Sequence, residues 1–265
     1  MILIGERING MFKDIGKAVI EWDPKPLQEW AQKQEAAGAH YLDVNTGPNA
    51  EDQVKTLPWM AQAVQEVTDL PLCLDCTNFD AIEAALKVLK RPGMINSCKC
   101  EQAEIDRLFP LAVEHKAALI GLCMTNKGVP KSAEDRTAFA MELVANADAY
   151  GLPFEDLYLD PICLPVNVGQ EHAIEVLETL RQIKTLSNPA PRTTIGLSNV
   201  SQKTPHRPLI NRTFAVMAMG AGLDSAIMDV MDDPMVDAIA TARLILNKDI
   251  YCDSYQKVFR QHSAH

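Results

Sequence analysis

The sequence predicts a single domain in which eight parallel strands, each followed by a helix, close into a (β/α)8 TIM barrel. Three observations lead there. Short apolar runs rich in β-branched residues recur eight times, stretches with apolar residues three and four apart separate them, and the runs begin 38, 32, 22, 24, 39, 37 and 30 residues apart. Such separations are about what one strand, one helix and two loops consume. Eight of these units in about 250 residues describe a barrel of this kind.

In chain order the strand runs are Ile2 to Gly5, His40 to Asn45, Leu72 to Asp75, Met94 to Asn96, Ala118 to Leu122, Leu157 to Asp160, Thr194 to Leu197 and Asp224 to Met228. Near-continuous apolar strands such as Ala118 to Leu122 suit a parallel sheet covered on both faces. The helical stretches are Pro26 to Ala37, Asp52 to Val67, Phe79 to Leu89, Gln102 to His115, Ala133 to Tyr150, Glu171 to Lys184, Pro208 to Met219 and Pro234 to Leu246. Their apolar residues fall on one face at helical period. An open doubly wound sheet is the runner-up. It lacks support because Gly5-Glu6-Arg7-Ile8-Asn9-Gly10 has the wrong spacing for a dinucleotide fingerprint.

Composition narrows the function classes. With 265 residues, 47% apolar and 23% charged, the chain can build one well-buried core spanning residues 1–265. A formal charge of −10 and no long basic run argue against nucleic acid. The longest apolar stretches, Ala117 to Met124 and Phe214 to Leu223, fall short of the ~20 residues that span a bilayer. The first ten residues place Glu6 and Arg7 where a signal peptide has its apolar region, so a cytoplasmic chain is expected. Seven cysteines, an odd number, fit reduced thiols. Cys73 and Cys76 are an odd number of residues apart along a strand and so face opposite sides, which disfavours a shared metal ion. Cys98 and Cys100 are expected together in a loop, and no metal site is assigned.

In such a barrel the C-terminal strand ends and the loops after them form the active site. Here those ends carry Glu6 and Asn9, Asp43 and Asn45, Asp75, Thr77 and Asn78, Asn96 and Ser97, Thr125 and Asn126, Asp160, Ser198 and Asn199, and Asp229. Any one of these could simply cap the next helix, and Asn78, before Phe79-Asp80-Ala81, is expected to do so. Capping does not account for the set. No nucleophile elbow, zinc helix or P-loop is present, and no strand ends in histidine. A ring of amides with a few carboxylates suits a neutral heterocycle rich in donors and acceptors, such as a pterin or purine, because Asp accepts from an amino and imino pair while Asn can do both. His115 and His172, on helical stretches, are expected to face solvent.

The segments Leu42-Asp43-Val44-Asn45 with Gly47-Pro48, Leu72 to Asp75, Met94 to Ser97, Leu159-Asp160-Pro161 and Gly196-Leu197-Ser198-Asn199-Val200-Ser201 resemble the pterin-binding methyltransferase barrels. These include the folate domain of cobalamin-dependent methionine synthases and, more closely, the methyltetrahydrofolate:corrinoid/iron-sulfur protein methyltransferases. The likeness runs from the first residues through Pro208 to Phe214 and on to Tyr251-Cys252-Asp253-Ser254.

The resemblance implies that the barrel mouth binds 5-methyltetrahydrofolate and passes its methyl group to the cob(I)amide centre of a separate corrinoid/iron-sulfur protein, in the reductive acetyl-CoA (Wood-Ljungdahl) pathway. It implies that Asp75, Asn96 and Asp160 hold the pterin edge and that Asn199 reaches the methyl-bearing nitrogen as the catalytic residue. Gly196 and Ser198 would shape that wall, and Gln202 and Arg207 would face the aminobenzoyl-glutamate tail. The corrinoid would arrive on its own protein, since the cobalamin-binding signature Asp-x-His-x-x-Gly is absent. The segment Pro208 to Leu223 is apolar around much of its circumference, which suits either a homodimer face or a well-buried barrel helix, and the resemblance favours the dimer. Alternatives are a dihydropteroate synthase-like enzyme, disfavoured because residues 196 to 201 contain no cation, a methyltransferase serving another corrinoid protein, and a folate-binding module without activity. Glu6, Asn9 and Asp43 receive no role.

Overall fold

A computed structural model describes residues 1–48 and 50–250. The resemblance at Tyr251 to Ser254 lies outside the described residues, as does Cys252.

Eight parallel strands form the sheet: β1 (Ile2–Asn9), β2 (Tyr41–Asn45), β3 (Leu72–Asp75), β4 (Met94–Lys99), β5 (Ala118–Leu122), β6 (Leu157–Asp160), β7 (Arg192–Thr193) and β8 (Ser225–Met228). From β1 to β7 each pairs with the next in order, and β8 returns to pair with β1. The remaining gap, between β7 and β8, is closed by a bridge from Gly196 to Ile227. The helices are α1 (Lys13–Glu21), α2 (Lys25–Ala36), α3 (Gln53–Gln65), α4 (Phe79–Leu86), α5 (Gln102–His115), α6 (Ala133–Tyr150), α7 (Glu171–Ile183), α8 (Arg207–Gly220) and α9 (Asp233–Ile245). The (β/α)8 barrel expected from the spacing is the fold observed.

Two elements differ from the sequence expectation. Helix α1 was not expected: Ile15, Ala18 and Val19 do form a buried face, but Gly16 interrupts a nine-residue pattern too short to stand out. The seventh strand was expected at Thr194 to Leu197. It ends instead at Thr193, and Leu197–Ser201 form a short 3-10 turn. The backbone leaves the ladder because Asn199 N bonds back to Gly196 O, a local alternative to strand pairing. Asn78 caps α4 as expected, accepting from Asp80 N and Ala81 N.

The core has two layers. Between sheet and helices lies the larger cluster, including Leu42, Val44, Leu74, Ile95, Leu119 and Leu159. Inside the barrel a smaller plug contains Ile4, Cys73, Met94, Ala118, Ile120 and Tyr158. Cys73 belongs to the plug and Cys76 to the outer layer, on opposite faces as strand geometry requires. Cys98 lies within β4 and both it and Cys100 are buried in the outer layer, so they are core thiols and not a loop pair. No helix among the described residues is long and apolar enough to cross a membrane.

His172 is 9% exposed, against the expectation of a solvent-facing ring. It is buried because α6 brings Arg136, 0% exposed, against it: Arg136 Nη2 lies 2.7 Å from His172 Nδ1 and Arg136 Nε donates to Pro130 O at 3.0 Å. His115 is half-buried with Nε2 enclosed at the end of α5.

Candidate functional site

The plug determines where the polar ring sits. Successive inward positions on a strand are two residues apart, so each plug residue is followed at i+2 by an inward residue nearer the C-terminal rim. Ile4 leads to Glu6, Cys73 to Asp75, Met94 to Asn96 and Tyr158 to Asp160; the partly buried Tyr41 and Ile227 lead to Asp43 and Asp229. The strand register aligns these residues laterally, with Asn45 opposite Asp75 and Asp75 opposite Asn96. An apolar floor thus carries a polar layer directly above it.

That layer lines a cavity of about 650 Å³, within the range of small-molecule sites. All of Asp75, Asn96, Asp160, Gly196, Ser198, Asn199, Gln202 and Arg207 line it. Glu6, Asn9, Asp43 and Asp229 line it too, together with Arg7, Met11 and Phe12 from the end of β1 and the turn after it. Sequence reasoning left the first three without a role and did not single out Asp229 from the strand-end residues. The i+2 relation to the apolar plug was the signal that could have placed Glu6, Asp43 and Asp229. Thr77, Ser97, Thr125 and Asn126 do not line the cavity. Asn126 is tied up outside it, accepting from Lys99 Nζ at 2.8 Å.

On the side built by β2, β3, β4 and β6, polar side chains orient one another. Asn45 Nδ2 donates to Asp75 Oδ2 at 2.6 Å while Asn45 Oδ1 accepts from Gly47 N at 2.7 Å, so both ends of that amide are committed. Asn96 Nδ2 donates to Asp43 Oδ1 at 3.3 Å. Asp160 Oδ1 accepts from Ile162 N at 2.7 Å. Asp43, 2% exposed, is pushed well above the usual carboxylate range by burial, with Asp75 adding to the rise. Burial likewise raises Asp75, against the Asn45 hydrogen bond. Asp160 is pushed up to about 7 by burial, opposed by the Ile162 amide and by Arg136. Packing several carboxyls into a dry rim favours their neutral forms.

The opposite side is the 3-10 turn after β7. Its Asn199 is exposed, and its amide makes no hydrogen bond with a described residue. The amide folds over Gly196, where a Cβ would lie 3.0 Å from Asn199 Nδ2 and press the amide aside. Ser198 Oγ donates to Glu6 Oε1 at 2.9 Å. Arg207 donates from Nη2 to Ser198 O at 2.9 Å and from Nε to Ser201 Oγ at 3.1 Å. Burial raises Glu6 above the usual range, with Ser198 opposing and Asp229 adding to the shift. The cavity therefore sets acids and an amide carbonyl on one wall against a free amide on the other. That suits a flat heterocycle held by its polar edge while one of its atoms faces Asn199.

The comparisons with known proteins agree with this chemistry. The pterin binding enzyme family matches residues 16–229. A methylcorrinoid:tetrahydrofolate methyltransferase from Eubacterium limosum is 32% identical over 263 residues, covering 98% of this chain and 97% of the relative. Methionine synthases from Mycobacterium leprae and Mycobacterium tuberculosis are each 29% identical over 241 residues, which is 86% of this chain but 20% of those proteins. Among solved structures, a Yersinia pestis DHPS with a pterine-sulfa conjugate superposes with a TM-score of 0.71 at 15% identity, covering 94% of each chain. At that identity the likeness concerns the fold alone.

Proposed function

The chain belongs to the pterin binding enzyme family, and from that premise we propose that it is a methyltransferase acting between a reduced folate and a corrinoid carried by a separate protein. The observation that carries the proposal is the meeting of Asp75, Asn96 and Asp160 with Asn199 across one cavity. The Eubacterium limosum relative, named for this pair of substrates and matched along its whole length, supports it.

In this reading the pterin's amino, imino and carbonyl edge rests on Asp75, Asn96 and Asp160. Asn45 and Asp43 hold two of these in register from behind. Gln202 and Arg207 face the aminobenzoyl-glutamate tail. With Nε and one hydrogen of Nη2 of Arg207 engaged by the turn, both Nη1 hydrogens and the second Nη2 hydrogen are left for a carboxylate.

A tertiary amine is a poor leaving group: departure without a proton would leave nitrogen anionic. The methyl carbon becomes transferable only as N5 gains positive character, so a polar group must meet that nitrogen. The unpartnered Asn199 amide suits the task, since rotation lets it accept from a protonated nitrogen or donate to a neutral one. The corrinoid supplies a strong cobalt nucleophile when it docks. The chain then contributes position and transition-state hydrogen bonding.

The finer reading is transfer from 5-methyltetrahydrofolate to the Co(I) state of a corrinoid/iron-sulfur protein, in the reductive acetyl-CoA pathway. The run Gly196 to Ser201 and the resemblance it carries support this partner. The relative's name describes the opposite direction, and both directions share one transition state and so the same contacts. Buried free cysteines favour a reducing, cytoplasmic setting. Leu209, Val216 and Met217, exposed on α8, favour a homodimer through that face, which sedimentation would test.

The decisive experiment mixes purified protein with methyltetrahydrofolate and free cob(I)alamin and follows the cob(I) absorbance. Its decay, dependent on the protein, is expected; a flat trace would remove the methyltransferase reading. Comparing kcat/KM for a corrinoid/iron-sulfur protein against other corrinoid proteins then tests the partner.

A further inference from the structure

We propose that Glu6 is a positioning residue for Asn199, acting through the hydroxyl of Ser198. The inference rests on the folate reading above and extends it to a residue on the far side of the barrel from the pterin wall.

Because the Asn199 amide has no hydrogen-bonding partner among the described residues, its aim is set by its backbone. That backbone is a five-residue 3-10 turn. It is held internally by Asn199 N to Gly196 O at 3.2 Å and Gln202 N to Asn199 O at 3.1 Å. Hydrogen bonds of this class have poorer geometry than α-helical ones, so outside ties matter.

Besides Thr204, which donates to Ser201 O from its backbone N and its hydroxyl just after the turn, three ties reach it. Val166 N, in the loop after β6, donates to Val200 O at 2.9 Å. Arg207, at the start of α8, grips Ser198 O and Ser201 Oγ. Both of these segments are chain neighbours of the turn or of the strand beside it. The third tie is Ser198 Oγ to Glu6 Oε1 at 2.9 Å, from a residue 192 positions away. It anchors the turn to β1, across the seam where β7 and β8 are joined through the Gly196 bridge.

Glu6 holds this place by ordinary strand alternation, two residues beyond the inward Ile4. The register shift between Gly5 and Ile8 comes after it and turns Ile8 to the outer core, while Arg7, at the cavity rim, stacks on Trp30 and pairs with Asp14. Ser198 immediately precedes Asn199, and its carbonyl belongs to the peptide plane that carries the backbone nitrogen of Asn199, from whose Cα the side-chain amide projects. Holding its hydroxyl from β1 and its carbonyl from α8 fixes that plane from two directions. A shift of about 1 Å at a reacting group can cost on the order of 10²-fold in rate, so loss of the β1 tie should be felt in turnover more than in binding.

The test uses the full chain and four variants: Glu6→Ala, Glu6→Gln, Ser198→Ala and the double Glu6→Ala/Ser198→Ala. Methyl transfer to cob(I)alamin gives kcat, and calorimetry gives folate affinity. Glu6→Ala should lower kcat by about tenfold or more while changing affinity by less than about threefold. Ser198→Ala should match it, and the double variant should be no slower than either single one, since both cut the same contact. Glu6→Gln, whose carbonyl still accepts from Ser198, should recover most of the rate. The inference is overturned if Glu6→Ala turns over like wild type, if Glu6→Gln is as slow as Glu6→Ala, or if the two single losses multiply in the double variant. Should Glu6→Ala fail to fold, the comparison of Glu6→Gln with Ser198→Ala carries the same decision. Wild-type protein that binds no folate would overturn the folate reading and this inference together; wild-type transfer with an unaffected Glu6→Ala would overturn this inference alone.

Discussion

Asn96 donates its amide hydrogen to Asp43 at 3.3 Å, and this fixes which end of Asn96 a ligand meets. With Nδ2 turned toward Asp43, the carbonyl oxygen is presented to the cavity, so the bound molecule must donate there. Asp43→Ala would free the amide to rotate. Folate affinity should fall by about tenfold, the worth of one oriented neutral hydrogen bond, with the Asn96→Ala background showing no further loss. Calorimetry on the two single variants and the pair would decide.

Asp75 and Asp160 are expected to bind the pterin through charged hydrogen bonds. Asp75→Asn or Asp160→Asn should each weaken folate binding by about 1.5 to 3 kcal/mol. Unchanged affinity in either variant would remove that residue from the pterin site.

Asn199 should act chiefly on the transition state. Asn199→Ala should lower kcat by roughly 10²-fold or more, the range for losing a preorganised hydrogen bond. Transfer at the wild-type rate would assign activation of N5 to another group.

Gly196→Ala tests the space beneath the Asn199 amide. The new methyl would sit 3.0 Å from Asn199 Nδ2, and because that atom ends a flexible side chain, the amide should swing aside without unfolding the turn. A several-fold lower kcat with an unchanged melting temperature is expected. A variant as fast as wild type would show that the amide's resting place is immaterial.

The pH dependence of binding follows from Asp160, whose carboxyl is pushed up to about 7 by burial. A ligand that donates to the ionised carboxylate competes with a proton. Affinity should be full above about pH 8 and weaken by about tenfold as pH falls to about 6. The raised Asp75 carboxyl acts in the same direction. Asp160→Asn should flatten the profile. Affinity that rises on acidification would show Asp160 to be a protonated donor instead.

Much of this protein was legible in its sequence because the relevant forces are local. Alternating apolar runs and helical stripes report burial on a strand or helix face, and eight repeats leave few ways to bury them. Strand ends could be read as the mouth because a barrel of this type opens at the C-terminal ends of its strands, and the family resemblance then singled out Asp75, Asn96, Asp160 and Asn199 from the polar residues there. The tertiary structure alone decided how those residues aim. The tie of Glu6 to Ser198 joins positions 192 residues apart. The Asp43 and Asn45 contacts depend on strand register, and the ring of His172 is buried by a helix that precedes it. Such contacts arise from barrel closure, which brings side chains together with no periodic trace along the chain.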